Sequence, residues 1–392
     1  MSSYPPAGPP RRTAQIPQQT TLRRRLAGLR GPAVPPRPLD ARALAALAAN
    51  PGCGRRALLD GAGVDKTALA AALGAPAPFG QSQFAIVRGN SFEAKVKGDG
   101  GAELLRLVHE HLGSAAQPPG PRARVPDLTA AGPEGRAART ALALREATAA
   151  ARAEEAWTLL DHPMLALEVA GSPVYLEPDA VVVHPDGRWT VVEIKSFPLL
   201  DGAADPAKVG AAARQSAVYV LALENTAQKL EGAEVGHRVL LVCPKDFSNL
   251  PAAAPVDIRR ERAVTRRQLE RLTRVEDLAA ALPEGISFDP ALPAEELTEA
   301  VATVDAAYAP ECLAACELAF HCRASARAAG QVTTLGRSVR GELGALATVG
   351  QALAAASGPG PGPDPTAEAL RHAARLRTEA LHTAAEAASC RC

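Results

Sequence analysis

Residues 174–195 read VYLEPDAVVVHPDGRWTVVEIK, and this stretch decides the fold. Two runs rich in β-branched and apolar residues, 174–183 and 189–195, flank the tetrapeptide His-Pro-Asp-Gly. Proline presets φ for a turn and glycine accepts a positive φ, so this tetrapeptide is typical of a tight turn. The stretch therefore predicts a β-hairpin within a sheet.

Carboxylates and a lysine lie where the two strands of this hairpin meet. Side chains alternate between the faces of a strand, so Glu193 and Lys195 share one face and Ile194 between them enters the core. Asp179, on the neighbouring strand, can meet Glu193 across the pair. Two adjacent carboxylates repel unless a cation lies between them, and hard oxygen ligands suit Mg²⁺ or Mn²⁺. The alternative is an exposed ion pair on an edge strand.

Lys195 adds a positively charged group beside the two carboxylates. Beside a metal site it can activate a water or stabilise a phosphate oxyanion, which is what phosphodiester hydrolysis needs. The helix expected after the hairpin carries Gln215 and Tyr219 four residues apart, hence on one face. They can hold a phosphate or the lysine; the alternative is an ordinary helix with tyrosine in the core.

The rest of the chain predicts helices on both sides of a short β region. Helical patterns are expected at 41–49, 66–73, 81–97, 102–112, 134–160, 206–224, 264–282, 294–308, 335–356 and 366–388, with a buried strand at 238–243. Helix, antiparallel strands, helix and strand in this order indicate an α/β arrangement around a central sheet.

The order Pro178-Asp179, Glu193-Ile194-Lys195 and Gln215-Ser-Ala-Val-Tyr219 resembles the RecB-like family of PD-(D/E)xK nucleases. That family includes CRISPR-adaptation nucleases and AddB-type helicase–nuclease subunits. The resemblance implies a restriction-endonuclease-like central mixed sheet with flanking helices and a helical cysteine-rich cap. It also implies that Asp179 and Glu193 bind Mg²⁺ or Mn²⁺, while Lys195, Gln215 and Tyr219 serve catalysis.

The family takes a further metal ligand, usually histidine, from a helix before the hairpin. Here the stretch Arg88-Gly89-Asn90-Ser91-Phe92-Glu93 fits that frame, with Glu93 in the ligand position. A glutamate can ligate the same metal. The competing interpretation is a capping box, in which Glu93 returns to the backbone N–H of Asn90 at a helix start.

Four cysteines form a second candidate metal centre. Cys312, Cys316 and Cys322 lie close in sequence, and Cys53 lies far upstream. Four thiolates can bind a [4Fe–4S] cluster or a zinc ion. One cysteine before the core and three after it is similar to the iron–sulfur branch of the family. The spacing departs from that branch, with three residues rather than two between Cys312 and Cys316, and His321 keeps a zinc site open.

The remaining cysteines carry no predicted role. Cys243 ends an apolar strand and is expected to be buried and inert. Cys390 and Cys392 lie at the terminus, where disorder is the default. Three clustered cysteines could also be ordinary core residues.

Composition sets the predicted domain organisation of the 392 residues. Residues 1–40 are rich in Pro and Arg and are expected to be disordered. A RecB-like core with both cysteine elements is expected at 41–330, a helical extension at 331–356, a Gly/Pro linker at 357–365 and a C-terminal helix at 366–392. No apolar run is long enough to span a bilayer, and no signal peptide is evident, so a cytoplasmic location is expected.

The net charge is +1, so a nucleic-acid partner requires a local basic surface. The stretch 259–274, with seven arginines, is the candidate; the alternative is a solvated helix face paired with nearby glutamates. The family implies a metal-dependent DNA nuclease, exonuclease-like on single strands or ends, in recombination, repair or defence. This sequence contains no nucleotide-phosphate-binding loop, so any ATP-driven unwinding requires another chain. A helicase or another recombination or defence subunit could be its partner. The competing function is a catalytically silent nuclease fold that binds DNA or a partner.

Overall fold

The computed structural model describes residues 16–76, 83–113, 123–154, 156–170, 172–246, 248–272, 274–358 and 364–389. The chain divides into two compact units. The first comprises Met1–Asp65 and Gln81–Val304, and the second comprises Lys66–Gly80 and Asp305–Cys392. The predicted core at 41–330 is thus divided after Val304.

The helices and strands follow in chain order. The α-helices are α1 (Ile16–Arg30), α2 (Ala41–Ala49), α3 (Gly54–Ala62), α4 (Lys66–Ala72), α5 (Gln83–Val96), α6 (Gly98–Leu112), α7 (Gly132–Glu154), α8 (Pro206–Ala227), α9 (Arg259–Leu269), α10 (Val275–Ala280), α11 (Ala294–Ala302), α12 (Ala319–Ala328), α13 (Arg337–Glu342), α14 (Val349–Ser357) and α15 (Pro365–Ser389). Short 3₁₀ helices span Pro310–Ala314 and Val332–Leu335. The strands are β1 (Thr158–Asp161), β2 (Leu165–Val169), β3 (Ser172–Leu176), β4 (Ala180–Val183), β5 (Arg188–Ile194), β6 (Glu234–Val235), β7 (Arg238–Pro244) and β8 (Pro251–Asp257).

The first unit is built on a mixed sheet with strand order β1-β4-β5-β7-β8, and β6 also pairs with β5. The predicted hairpin is present: β4 and β5 are antiparallel, with Val183 opposite Trp189 across the His-Pro-Asp-Gly turn. β7 runs parallel to β5, and α8 connects the two strands, as a parallel pair requires. A separate β2–β3 ribbon precedes the hairpin.

Both faces of this sheet are covered by helices. On one face, Val181, Trp189 and Val191 share a buried apolar core with residues of α2, α7 and α8. On the other face, Val182 and Val192 share a second core with residues of α5 and α6. Burial on both faces explains why the central strands read as nearly continuous apolar runs. The chain is therefore an α/β protein with a mixed sheet and flanking helices, as the sequence predicts at this level.

The first predicted strand, 174–183, is interrupted in the structure. β3 ends at Leu176 and β4 begins at Ala180, so Glu177, Pro178 and Asp179 form a break between two strands rather than part of one. Proline has no N–H for the ladder, which accounts for the interruption. β3 turns to pair with β2, and β4 pairs with β1 and β5.

Two further expectations differ from the structure. The helix predicted at 134–160 ends at Glu154. Residues from Thr158 onward form β1 instead, because the β1 side chains are buried in the sheet core. Within 1–40, which composition predicts to be disordered, α1 runs from Ile16 to Arg30. Its Leu29 is fully buried, and the Arg25 guanidinium donates to the carbonyls of Leu282 and Pro283. Residues 1–15 lie outside the described residues.

The helix pair before the hairpin also differs from expectation. α5 runs from Gln83 to Val96, so Asn90 lies in its interior and the capping box proposed for Glu93 does not form. The Gly-Asp-Gly-Gly break is present: Asp99, Gly100 and Gly101 have φ of 53°, 67° and 80°. A Cβ on Gly101 would lie 2.1 Å from Leu159 Cδ2, so glycine is required where α6 crosses β1.

The second unit is helical. α12 and α13 pack on the 3₁₀ helix Val332–Leu335, and α14 packs on α15. Thr348 and Gln351 form a capping box that starts α14. The predicted helical extension at 331–356 therefore contains two α-helices, and the predicted terminal helix corresponds to α15. Residues 359–363 of the predicted linker and the terminal Cys390 and Cys392 lie outside the described residues.

Among the residues that the structure describes, no helix has both the length and the apolar character that crossing a bilayer requires.

One buried polar contact joins the sheet to α7 and gives a stability prediction. The Trp189 indole is fully buried, and its Nε1–H donates to Thr148 Oγ1 at 3.0 Å. Thr148→Val leaves that N–H without its acceptor and should lower the free energy of unfolding by about 1–3 kcal/mol. Urea unfolding followed by circular dichroism measures the change.

Thr298→Val is the matched control. Thr298 is exposed on α11 and, like Thr148, donates its hydroxyl to the carbonyl four residues earlier, but it accepts nothing from a buried indole. Equal losses for the two variants would mean that the indole contact contributes nothing.

Candidate active site

Asp179 and Glu193 lie side by side at one end of the sheet. Ala180 and Val192 are the terminal pair of the β4–β5 register, and Asp179 and Glu193 are the next residues beyond it on the two segments. Asp179 Oδ2 accepts a hydrogen bond from the Ile194 backbone N–H at 2.6 Å, which fixes its carboxylate across the strand end. The break at Pro178 turns Asp179 out of the β3 ladder and toward this contact.

Glu193 is a buried carboxylate with little compensation. Its side chain is 1% exposed, and Lys195 forms an ion pair with Oε1. That contact lacks hydrogen-bond geometry, and within the described residues neither carboxylate oxygen has a hydrogen-bond partner. Burial, followed by the nearby Asp179 charge, raises the pKa of Glu193 from 4.5 to about 7. Burial also raises the pKa of Asp179, although the bond from Ile194 opposes it.

Lys195 is held by a chain of polar groups on α8. Its Nζ donates to Gln215 Oε1 at 3.3 Å, Gln215 Nε2 donates to the Tyr219 hydroxyl at 3.0 Å, and that hydroxyl donates to the Glu177 carbonyl at 3.2 Å. Burial raises the pKa of Tyr219 above its usual range, so the phenol stays protonated as a donor. The residues expected to support Lys195 therefore contact it in series and anchor it to the Pro178 break.

Glu93 reaches the same region from α5. Its Oε1 accepts from Lys97 Nζ at 2.6 Å and lies 3.0 Å from His162 Nε2. The hydrogen bond with His162 is the largest cause that lowers the pKa of Glu93 to about 2, and Lys97 adds to it against the cost of burial. The Glu93 charge in turn raises the pKa of both Asp179 and Glu193. Glu93 is thus close enough to act on the two strand carboxylates.

Lys97, Asp161 and His162 belong to this cluster, although sequence reasoning did not single them out. Lys97 Nζ lies 2.7 Å from Asp161 Oδ1 and donates to the Asp179 carbonyl at 2.7 Å. His162 has a positive φ of 44°, and its N–H also donates to the Asp179 carbonyl. The hydrogen bond to Glu93 raises the pKa of His162. Two sequence features could have identified them: a histidine directly after a strand, and a lysine four residues after Glu93.

A second clamp holds the Pro178 break from outside. Arg136 on α7 donates to both carboxylate oxygens of Glu177, at 2.7 and 3.3 Å, and to the His162 carbonyl at 3.0 Å. One guanidinium therefore ties together the two loops that carry Asp179 and His162. Planar guanidinium groups suit such forked contacts.

The donor set fits a divalent cation in chemistry but is not arranged around one in this structure. Glu193 supplies two buried carboxylate oxygens without hydrogen-bond partners among the described residues, beside the carboxylates of Asp179 and Glu93. An uncompensated buried carboxylate is what a cation would satisfy. Within the part of the chain that the structure describes, no three His, Cys, Asp or Glu side chains are grouped as metal ligands. Ammonium groups of Lys97 and Lys195 contact the carboxylates instead.

The predicted cysteine ligands fall in both units and are described within each. In the first unit, Cys53 is buried at the start of α3. In the second, Cys312, Cys316 and Cys322 are half-buried, and the Cys316 N–H donates to the Cys312 carbonyl. Burial chiefly raises the pKa of Tyr308, and the charges of Cys312 and Cys322 both contribute, so these two thiols lie near one phenol.

Cys243 is buried at the end of β7, as expected. Burial raises the pKa of its thiol to about 12, which keeps it protonated and unreactive at neutral pH.

The candidate basic stretch is largely paired. The Glu224 carboxylate accepts from Arg262 and from Arg266, Arg259 pairs with Asp257, and Arg274 pairs with Glu276. The other three arginines of the stretch are exposed: Arg260, Arg267 and Arg271. More than half of the seven cations therefore already have carboxylate partners, which favours the solvated-face alternative over a dedicated nucleic-acid surface.

Comparisons with known proteins add no identification. No family model matches the chain, and no curated protein matches it. Among solved structures, the crystal structure of SSO0001 matches at 14% sequence identity, over 39% of this chain and 63% of that chain, with a TM-score of 0.17. The match spans under two thirds of that chain, and similarity at this TM-score carries no argument about fold or function.

The raised pKa of Glu193 gives a prediction for the metal-free protein. Between pH 4.5 and about 7 the unfolded carboxyl is ionised while the folded one holds its proton, so stability falls as the pH rises and levels off above 7. Glu193→Gln cannot ionise and escapes this fall. The free energy of unfolding of the variant minus that of the wild type should grow by up to about 3 kcal/mol over this interval.

Urea unfolding in chelator at pH 4.5, 5.5, 6.5 and 7.5 measures this difference. Glu110→Gln is the control, since Glu110 is 56% exposed on α6 and its difference should stay nearly constant with pH. A constant difference for Glu193→Gln as well would contradict a costly buried carboxylate at this position.

Proposed function

We propose that this chain is a Mg²⁺- or Mn²⁺-dependent nuclease of the RecB-like PD-(D/E)xK type, with a restriction-endonuclease-like core. One observation carries the proposal. Asp179 and Glu193 follow the terminal β4–β5 pair and act on each other electrostatically, with Lys195 beside Glu193 and Glu93 within electrostatic reach. A fully buried carboxylate beside a half-buried one is costly, and a divalent cation between them would offset that cost.

Each residue has a role in this proposal. Asp179 and Glu193 would hold the metal, with Glu93 as a further ligand. A bound Mg²⁺ or Mn²⁺ supplies an activated water and neutralises charge on the phosphate. Lys195 donates to the attacking water or to a phosphate oxygen, and Gln215 orients its ammonium. Tyr219 fixes Gln215 and is itself anchored to the Glu177 carbonyl.

The substrate class comes from the resemblance of the motifs. DNA, as single strands or ends, is the substrate that it favours, in recombination, repair or defence. Because the chain contains no phosphate-binding loop, a helicase or similar subunit would supply any unwinding. Four of the seven arginines of 259–274 are already paired with carboxylates, so this stretch adds little support for the DNA substrate.

A specific observation favours a second candidate, a catalytically silent nuclease fold that binds DNA or a partner. Lys97 and Lys195 already contact Glu93 and Glu193, and ammonium groups can neutralise carboxylates without any metal. In a silent protein these ion pairs would be the final state of the site. In a nuclease, at least the Lys195 contact to Glu193 must give way to a cation.

The cleavage assay separates the two functions. Labelled single- and double-stranded DNA is incubated with Mg²⁺ or Mn²⁺ and wild-type protein, Lys195→Ala or Glu193→Gln. The proposal predicts cutting by the wild type and a loss of about 10²–10⁴-fold in rate for Lys195→Ala, the range typical of a lost proton-transfer or oxyanion-stabilising group. Glu193→Gln removes a metal ligand and should also lose cutting. Labelled RNA in parallel reports substrate preference.

Matched controls are available on exposed helix positions. Lys95→Ala removes an exposed lysine from α5, and Glu110→Gln removes an exposed carboxylate from α6; both should retain the wild-type rate. Metal-independent DNA binding without cutting by the wild type, unchanged in Lys195→Ala, would instead support the silent protein.

The cysteines keep their separate proposal, a [4Fe–4S] cluster with structural zinc as the alternative. Anaerobic purification should give a brown protein that contains iron, and Cys316→Ser should lose that iron and unfold at a lower temperature. Cys243→Ser, at a buried thiol outside the predicted ligand set, is the control and should keep the iron. Stoichiometric zinc without iron would replace the cluster by the alternative.

A further inference from the structure

The ammonium group of Lys97 lies among four polar groups. Four groups lie within 3.0 Å of its Nζ: Glu93 Oε1 at 2.6 Å, Asp161 Oδ1 at 2.7 Å, the Asp179 carbonyl at 2.7 Å and His162 Nε2 at 3.0 Å. Carboxylate, carbonyl and imidazole are the donor types that Mn²⁺ and Zn²⁺ accept. Lys97 Nζ forms hydrogen-bond contacts with Glu93, the Asp179 carbonyl and the His162 ring nitrogen, and an ion pair with Asp161.

The fold holds this lysine in place. Lys97 follows α5 directly, its side chain is 11% exposed, and its N–H donates to the Glu93 carbonyl. The left-handed turn after it brings Gly101 against Leu159 of β1, the strand that ends at Asp161. The same crossing of helix and strand therefore positions both Lys97 and Asp161.

The Lys97 position adjoins the proposed metal site. Asp179 belongs to both, since its backbone carbonyl accepts from Lys97 while its carboxylate accepts from the Ile194 N–H and its charge acts on Glu193. Two-metal phosphodiesterases hold their cations about 3.5–4 Å apart with shared ligands. The Lys97 ammonium, which bonds the backbone of Asp179, would supply the positive charge that a second cation supplies in such a pair.

We propose that Lys97 is a built-in replacement for a second metal ion, so that this site takes a single divalent cation beside Asp179 and Glu193. The inference rests on the proposed function and specifies its metal count. Removing the ammonium leaves two carboxylates, Glu93 and Asp161, around a carbonyl and an imidazole. That set carries the charge and donor types for a second divalent cation.

The experiment counts bound Mn²⁺ and needs no catalytic readout. Wild-type protein, Lys97→Ala and Lys95→Ala are stripped with chelator and titrated with Mn²⁺ under calorimetry and electron paramagnetic resonance. We expect one Mn²⁺ per chain with an uncoupled spectrum for the wild type and Lys95→Ala. For Lys97→Ala we expect two, with the spectral broadening of a coupled pair.

Two further variants keep the test decisive if Lys97→Ala folds poorly. Lys97→Met keeps most of the side-chain volume without the charge and should also bind two Mn²⁺. Adding Asp161→Asn to either variant removes a ligand and should return the count to one. Circular dichroism confirms that each variant is folded.

The possible failures can be told apart. One Mn²⁺ in both wild type and the Lys97 variants, bound more tightly in the variants, would mean that the metal displaces Lys97, and would overturn this inference alone. Two Mn²⁺ in the wild type would also overturn it while leaving the nuclease proposal intact. No Mn²⁺ in the wild type would overturn the metal-dependent function and this inference with it.

Discussion

The site depends on two neighbouring carboxylates at the end of a sheet, Glu193 fully buried and Asp179 half-buried. Removing such groups from water costs several kcal/mol each unless partners compensate. Within the described part of the chain the compensation is partial: the Ile194 N–H bonds to Asp179, and Lys195 forms an ion pair with Glu193. The raised pKa of both acids expresses that deficit. A divalent cation between the two carboxylates would supply the missing compensation, and we therefore interpret this pair as a metal site.

The secondary structure makes this unfavourable arrangement possible. The hairpin register sets the two acids side by side, and Pro178 ends one strand so that Asp179 can turn toward Ile194. The polar partners then arrive from opposite faces of the sheet, Lys97 at the end of α5 and Gln215 on α8. Apolar packing on both faces of the central strands holds these positions.

Local sequence patterns predict part of the fold and part of the candidate site. The turn between β4 and β5 and the apolar run of β7 predict their strands, and the i, i+4 spacing of Gln215 and Tyr219 predicts their shared face. β1 follows an alanine-rich helix without a break signal, and β8 contains two prolines, which only its edge position tolerates. Lys97 and His162 meet across 65 residues through tertiary packing, so no local pattern could pair them.

The most direct test of the metal site is a crystal structure of the wild-type protein grown with Mn²⁺, with data collected at the manganese absorption edge. The account predicts one anomalous peak in contact with the carboxylates of Asp179 and Glu193, with Lys97 still against Asp161. No anomalous peak there, with Lys195 still paired to Glu193 at saturating Mn²⁺, would contradict it and leave the buried acids as a structural ion-pair cluster.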